Sequence, residues 1–413
     1  MIPSTTRFLL LHVLALAAAC LSAASASAQS DAGCGRVTNG TPSATTFSWS
    51  AQAGAEQPSV APRYKIAVWG DSLTSSRDFV DAALETAGIA KSAVLPAFIQ
   101  AGIKTPGLQL PLRASCASQG WQVDYAHKKK RKLAGYAKGF VKMRSNTPGD
   151  LVYLDFRYPA ATTRVRELTI QYEKPKVDSS LLLAVAINDG QEKLVSLSRA
   201  TGTSLQIRPD RPMATMRLRL VSGAITLHGF APVYEEAADV VLDTLSIPGG
   251  SLRSWGNADP ALMPGASIEN HEQPYSLILV QYGTNEGADA SFSSDSYRQY
   301  LHTHLKSLRG YYPRARCVLI GPPDRGVVGA TAPPASLKYA FIHQQIALAQ
   351  KDIGRQYRCE FWDWQAAMGG PGSAAAWSRM NPPQMQADLT HLSATGYRLS
   401  GKLLGAYLNL NKQ

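Results

Sequence analysis

Tyr64-Lys-Ile-Ala-Val-Trp69 is a short apolar run, and Gly70-Asp71-Ser72-Leu73 follows it directly. From Ser75 to Thr86, the residues Phe79, Val80, Ala83 and Leu84 recur at helical spacing, and Gly88 supplies a stop. The stretch therefore reads as a buried strand, a loop holding Ser72, and a helix. The same alternation returns after Val240. Ser276-Leu-Ile-Leu-Val-Gln281 precedes a helical pattern over 296–308, Cys317-Val-Leu-Ile-Gly321 one over 337–350, and Cys359-Glu-Phe-Trp-Asp363 one over 394–407. Strands alternating with helices predict an α/β domain with a parallel sheet and helices on both of its faces.

Between these parts the pattern changes. Asp150-Leu-Val-Tyr-Leu-Asp-Phe156, Glu167-Leu-Thr-Ile-Gln-Tyr172, Ser180-Leu-Leu-Leu-Ala-Val-Ala186, Met216-Arg-Leu-Arg-Leu-Val221 and Ala224-Ile-Thr-Leu-His-Gly-Phe230 are short strand-type runs. Turn residues such as Asn188-Asp-Gly190 separate them, with no helical pattern between, which predicts a β-sandwich. The α/β domain thus spans 63–112 and 239–413, and an all-β insert occupies 113–238. Residues 29–62, rich in Ala, Ser, Thr, Gly and Pro, read as a poorly structured leader.

The N-terminus carries Arg7, an apolar run from Phe8 to Leu21, and small residues at Ala26-Ser27-Ala28. That is the make-up of an export signal over 1–28, cleaved after Ala28. The run falls short of the roughly 20 apolar residues that a membrane span needs, and no later stretch reaches that length, so no stable membrane insertion is expected. A lipid anchor at Cys20 is disfavoured by Ala17, where Leu is usual. The mature chain would be periplasmic or secreted. It would keep Cys34, Cys116, Cys317 and Cys359, an even number in an oxidising compartment. Cys317 and Cys359 both sit at predicted strands and are paired on that ground, which leaves Cys34 with Cys116. No Cys-x-x-Cys or cysteine–histidine cluster suggests a zinc site, and no metal or cofactor is expected.

The formal net charge is +12, and residues 113–238 hold 20 Lys or Arg against 11 Asp or Glu. The insert therefore carries most of the excess, including the run Lys128-Lys-Lys-Arg-Lys132. Such a balance favours polyanions. For an exported chain these are anionic lipid or an acidic wall polymer, and nucleic acid is not expected.

Three places hold groups suited to acyl transfer, which needs a nucleophile, a base and oxyanion donors. Ser72 lies just past a strand and before a helix N-terminus; its other reading is a helix cap. Asn285, in Gly283-Thr284-Asn285-Glu286, follows a strand and can offer its side-chain amide to an oxyanion; otherwise it is a turn residue. Asp388-Leu-Thr-His391 precedes the last helix and sets a carboxylate three residues from a histidine. His302, His304 and His343 lie on helical patterns without an acidic partner and read as solvated or satisfied surface groups.

Taken together and in this order, the three motifs resemble the conserved blocks of the SGNH, or GDSL, hydrolase superfamily. The resemblance covers about 60–112 and 238–413. It implies an α/β/α sandwich of three layers, Ser72 as nucleophile, His391 as base and Asp388 as its orienting group. The oxyanion hole would be the Ser72 N–H, Asn285 and a glycine of the second block. That glycine follows Val240-Val-Leu-Asp-Thr-Leu-Ser246, and family spacing favours Gly249, with Gly250 next to it. The block lacks the Asn usual there. The β-rich insert resembles, by position and class, the carbohydrate-binding jelly roll of bacterial peptidoglycan O-acetylesterases. Phe361-Trp-Asp-Trp364 looks like a segment of periplasmic saccharide-acting members.

The resemblance implies a serine esterase that removes O-acetyl groups from a cell-envelope polysaccharide, with acetylated peptidoglycan as partner. Trp121, Tyr125 and Lys128, together with Tyr136 and Tyr153, are candidate glycan contacts or, for the aromatic rings, core residues. The same scaffold serves polysaccharide O-acetyltransferases, lipases and thioesterases, and an inactive version would be a glycan-binding protein.

Overall fold

The computed structural model describes residues 34, 45–51, 62–129, 135–173, 180–198, 202–263, 275–289, 291–330 and 332–410. The export signal and Cys20 lie outside them, as does Lys130-Arg-Lys132.

Six strands form one sheet: β1 (Tyr64–Gly70), β2 (Val94–Leu95), β3 (Val240–Thr244), β4 (Leu277–Gln281), β5 (Arg316–Ile320) and β6 (Cys359–Trp362). Their order across the sheet is β6-β5-β4-β1-β3-β2, and every pairing is parallel. Strands buried on both faces need continuous apolar runs, and all five residues of β4 are buried. The helices are α1 (Arg77–Thr86), α2 (Ser294–Tyr311), α3 (Lys338–Gln356), α4 (Trp364–Met368), α5 (Ser373–Ser378) and α6 (Ala394–Leu408). One face of the sheet, with Trp69, Ile278 and Leu319, packs on Leu301, Leu305 and Leu308 of α2 and on Ile346 and Ile353 of α3. The other, with Ile66, Val68, Leu279 and Val318, packs on Phe79 and Val80 of α1 and Leu404 and Leu408 of α6.

The remaining strands form two antiparallel sheets, of seven and five strands. The larger includes Val165–Tyr172, Ser204–Pro209 and Ile225–Tyr234; the smaller includes Leu151–Asp155, Leu182–Ile187 and Thr215–Ser222. Leu168, Ile170 and Phe230 from the first meet Leu154, Val185 and Leu218 from the second in one buried core. Two departures from the expected boundaries stand out. Phe47–Ser50, inside the segment read as leader, pairs antiparallel with Ser204–Pro209 as an edge strand. Ile99–Gln100 pairs with Ile225–Tyr234, so strands of the larger antiparallel sheet begin before residue 113. Only Phe47 of its strand is buried, too weak a pattern to stand out within an Ala- and Ser-rich stretch.

Disulfides join Cys317 to Cys359, on adjacent strands β5 and β6, and Cys34 to Cys116. Among the described residues no helix is long and apolar enough to cross a membrane.

The two parts are bolted together by a buried network. Lys138 Nζ donates to Asp243 Oδ2 at 2.7 Å and to Tyr275 Oη at 2.6 Å, and Tyr275 Oη–H donates to Asp243. Asp243 Oδ1 also accepts from the N–H groups of Ala97 and Phe98, both at 2.8 Å. A buried carboxylate is tolerable only when its lone pairs are met in this way.

Candidate active site

Strand β1 ends at Gly70, where only glycine fits. A β-carbon there would lie 2.1 Å from Thr74 Oγ1 and 2.8 Å from the Gln281 carbonyl. The chain then turns through Asp71, whose Oδ1 accepts from the Leu73 N–H at 2.9 Å. Gln281, at the end of β4, supports the turn: its Oε1 accepts from the Asp71 N–H at 3.3 Å. Asp71 is fully buried. Burial pushes its carboxyl up to about 7, with Glu286 adding to the rise and bonds from Leu73, Gln281 and Thr284 opposing it.

Ser72 stands half-buried at the top of this turn. It is not the cap of α1: Ser76 is, with its side chain accepting from the Asp78 N–H. The Ser72 hydroxyl is instead bonded to His391 Nε2 at 2.9 Å. His391 Nδ1 lies 2.6 Å from Asp388 Oδ2. A proton on Nδ1, directed at the carboxylate, leaves Nε2 as an acceptor for the serine hydroxyl.

The spacing of Asp388 and His391 has a local cause. Asp388 Oδ1 accepts from the N–H groups of Thr390, at 3.0 Å, and His391, at 2.9 Å, so the carboxylate caps its own turn. Leu389 takes a left-handed φ of +53° to close it. Burial alone would raise the Asp388 carboxyl, but the bonds from the His391 ring and from these two N–H groups outweigh it and hold it below the usual carboxylate range.

The loop after β3 reaches the same point. Ile247 N–H donates to the Gly70 carbonyl at 2.9 Å, and Gly250 N–H donates back to Ile247 O at 2.8 Å. Gly250 therefore uses its N–H inside the turn, and Gly249, at φ +76°, is the glycine whose N–H lies outside that bond. Asn285 Nδ2 donates to Gly250 O at 2.9 Å, which joins the Gly283 loop to this one. Glu286 makes a second join. Half-buried, it accepts from Gly283 N–H at 3.1 Å through Oε2, and from Leu252 N–H at 3.2 Å through Oε1. The motif Gly283-Thr284-Asn285-Glu286 assigns Glu286 no role by itself; the signal for one is a carboxylate in a loop between buried elements.

The structure thus brings Ser72, His391, Asp388, Gly249 and Asn285 to one end of the parallel sheet. It does not bring Trp121 there. That ring is 2% exposed and packs in the core between the two antiparallel sheets, so it offers no face to a sugar. Tyr136 is likewise buried. Tyr125 is half-buried with Lys128 Nζ 4.8 Å above its ring, and Lys128 is exposed. Trp362 and Trp364 are packing residues: Trp364 stacks on Phe79 of α1 at 4.5 Å and donates to Ser400 Oγ at 2.9 Å. His343 and His304 are buried rather than solvated. His343 Nδ1 meets the Pro323 carbonyl at 2.7 Å, and burial drives its pKa down to about 4.

One contributor was not anticipated. His127, from the all-β segment, places Nε2 3.6 Å from the point a β-carbon on Gly249 would occupy. Burial, then the charges of Lys128 and Arg253, lower its pKa to about 4, so the imidazole is neutral at ordinary pH.

No known family profile and no curated protein matches the chain. Among solved structures, a peptidoglycan O-acetylesterase is similar with a TM-score of 0.63 at 18% identity, over 85% of this chain and 93% of that one. A lipase/acylhydrolase from Enterococcus faecalis matches at 19% identity and TM-score 0.29, over 41% and 76% of the two chains. A carbohydrate esterase family 2 enzyme with a carbohydrate-binding domain, from Corynascus thermopiles (Myceliophthora fergusii), matches at 14% and 0.29, over 70% and 98%. The last two likenesses are too loose to bear on the fold. The first shows that this chain shares its fold, over 85% of its length, with that peptidoglycan O-acetylesterase.

Proposed function

We propose that the protein is a serine esterase that removes O-acetyl groups from a cell-envelope polysaccharide, acetylated peptidoglycan first among them. The observation that carries this reading is the continuous relay Ser72 Oγ, His391 Nε2, His391 Nδ1, Asp388 Oδ2, with separations of 2.9 and 2.6 Å. The fold shared with a peptidoglycan O-acetylesterase supports the substrate class. An SGNH-type three-layer α/β/α domain interrupted by a jelly-roll-like, carbohydrate-binding insert fits the sheets described above. Export to the periplasm or beyond fits the two disulfides.

In this reading Ser72 Oγ attacks the acetyl carbon while its proton passes to His391 Nε2. The oxyanion takes hydrogen bonds from the Ser72 and Gly249 N–H groups and from Asn285 Nδ2, which turns from Gly250 O. His391 then returns the proton to the departing sugar oxygen. Water, deprotonated by the same nitrogen, attacks the acetyl-serine; the Oγ–acyl bond breaks, Ser72 Oγ takes the proton back from His391, and acetate leaves. Asp388 holds the Nδ1 proton in place and stabilises the imidazolium.

The test is acetate release from purified O-acetylated peptidoglycan, set beside acetylated xylan. Ser72→Ala should lower kcat by at least about 10⁴-fold while leaving the far-ultraviolet spectrum and Tm unchanged. A folded Ser72→Ala protein that keeps most of its activity refutes the mechanism. A wild type that acts on xylan and not on peptidoglycan refutes the substrate.

A further inference from the structure

We propose that Tyr125, His127 and Lys128 of the inserted strands, with Arg253 of the hydrolase domain, form a leaving-group subsite that takes a carboxylate carried by the acetylated saccharide. The inference rests on the esterase reading and adds to it the charge of the substrate.

Two short 3₁₀ turns meet here, Ala126–Lys128 from the all-β segment and Leu252–Asn257 from the loop that follows Gly249 and Gly250. Asn257 Nδ2 donates to the Ala126 carbonyl at 3.0 Å, so the two turns are fixed to each other. Each turn presents one exposed cation, Lys128 and Arg253. His127 lies in the field of both, with Nε2 beside Gly249. Its ring is 5.5 Å from that of Tyr125. The strongest charges felt by His127 are Lys128 and Arg253, both positive, and both keep the imidazole neutral. A neutral imidazole and a half-buried phenol ring suit a sugar, while the paired cations suit an anion attached to it.

The neighbouring carboxylates do not cancel this field. Asp124 is held by Lys129 at 2.7 Å. Glu286 is half-buried and bonded on both oxygens, and desolvation raises its carboxyl. Asp289 accepts from Ser291 through its N–H, at 2.9 Å, and its hydroxyl, at 2.7 Å, and lies in the field of Arg253. Because the cations are at the rim, the attraction is of the exposed kind. It should favour a charged over a neutral substrate by about five- to tenfold and weaken with salt.

The experiment compares kcat/KM for an O-acetylated uronic acid and for its methyl ester, each divided by the rate on p-nitrophenyl acetate. The same is measured for O-acetylated peptidoglycan before and after carbodiimide amidation of its carboxylates. The wild type should prefer both acidic forms by about five- to tenfold at low ionic strength. The preference should shrink toward one at 0.5 M salt, where the screening length is about 4 Å. Lys128→Glu with Arg253→Glu, both at exposed positions, should abolish or invert it. Equal rates on the acidic and neutral forms, or a preference that survives the charge reversal, overturn the subsite and leave the esterase reading standing. A wild type that turns over p-nitrophenyl acetate but no saccharide ester overturns both.

Discussion

Asp71→Asn separates the burial of the residue next to Ser72 from its hydrogen bonding. In the unfolded chain this carboxyl loses its proton near 3.8; in the folded protein burial holds the proton until about 7. Between those values unfolding releases a proton. The stabilisation is therefore complete below pH 3.8 and is lost as pH rises through 7. A gap of about 3 pH units at about 1.4 kcal/mol each makes the loss about 4 kcal/mol. Asn cannot titrate, so the variant escapes that loss. It adds a cost of its own, because its Nδ2 faces the Gln281 amide nitrogen, which now donates to Asp71 Oδ2 at 3.4 Å. That cost is about 1–3 kcal/mol and does not change with pH. The variant should thus be the less stable protein at pH 4 and should gain on the wild type by about 4 kcal/mol by pH 8. Urea unfolding followed by tryptophan fluorescence at pH 4, 5.5, 7 and 8 measures the difference. A stability difference that stays constant to within about 1 kcal/mol across this range refutes the argument, because the slope depends on the shifted proton alone.

Asn285→Ala should lower kcat on p-nitrophenyl acetate by about 10²-fold with little change in KM, as expected for a donor engaged mainly in the transition state. Asp388→Asn should lower kcat by about 10³-fold, less than the loss at fully buried triads, because the Asp388 side chain is 48% exposed and water can replace part of its effect. Lys138→Met should cost about 3–5 kcal/mol in urea unfolding, because it leaves the Asp243 carboxylate buried beside Tyr275 without its cation. A loss below about 1 kcal/mol would mean that the pair does not hold the two parts together.

How much of this was legible in the sequence follows from where each signal is stored. The long strands of the parallel sheet are buried on both sides, so each is a continuous apolar run; β4 and β5 were found to within a residue. Ala114–Ala117 and Gln122–Tyr125 were missed because they are short and largely half-exposed, and their residues do not alternate. Val94–Leu95 is two residues long and exists only because β3 lies beside it. Ser72, Asn285, Asp388 and His391 were legible because each sits in a short motif that fixes its own local geometry. The turn at Asp388 is the clearest case, since the carboxylate accepts from the N–H groups of Thr390 and His391, two and three residues on. Trp121, Trp362 and Trp364 show the converse. An aromatic residue type suits a sugar platform and a core equally, and only the sheets around these rings decide. His127 carries no motif at all, and tertiary topology alone sets it against Gly249.

The packing between the two parts bears on how the inserted strands should be tested. Trp69, on the strand that leads to Ser72, donates its indole N–H to the Lys138 carbonyl at 2.8 Å and packs against Trp255 at 5.1 Å. Phe140 meets Trp255 at 4.9 Å in the same cluster. Tyr136 N–H donates to Asn257 O, and Asp259 N–H to Tyr136 O, so backbone pairing continues across the boundary. Deleting 113–238 would strip these partners from β1 and from the Leu252–Asn257 turn together. The Gly249 loop leads into that turn, and Ser72 rides on the end of β1. An inactive deletion mutant would therefore report a collapsed wall beneath Ser72, whether or not the segment touches a sugar. Substitutions at Lys128 and Arg253 alter the rim charge and leave Trp69, Trp255 and the Lys138–Asp243 pair in place, so a change in substrate preference there can be read as recognition.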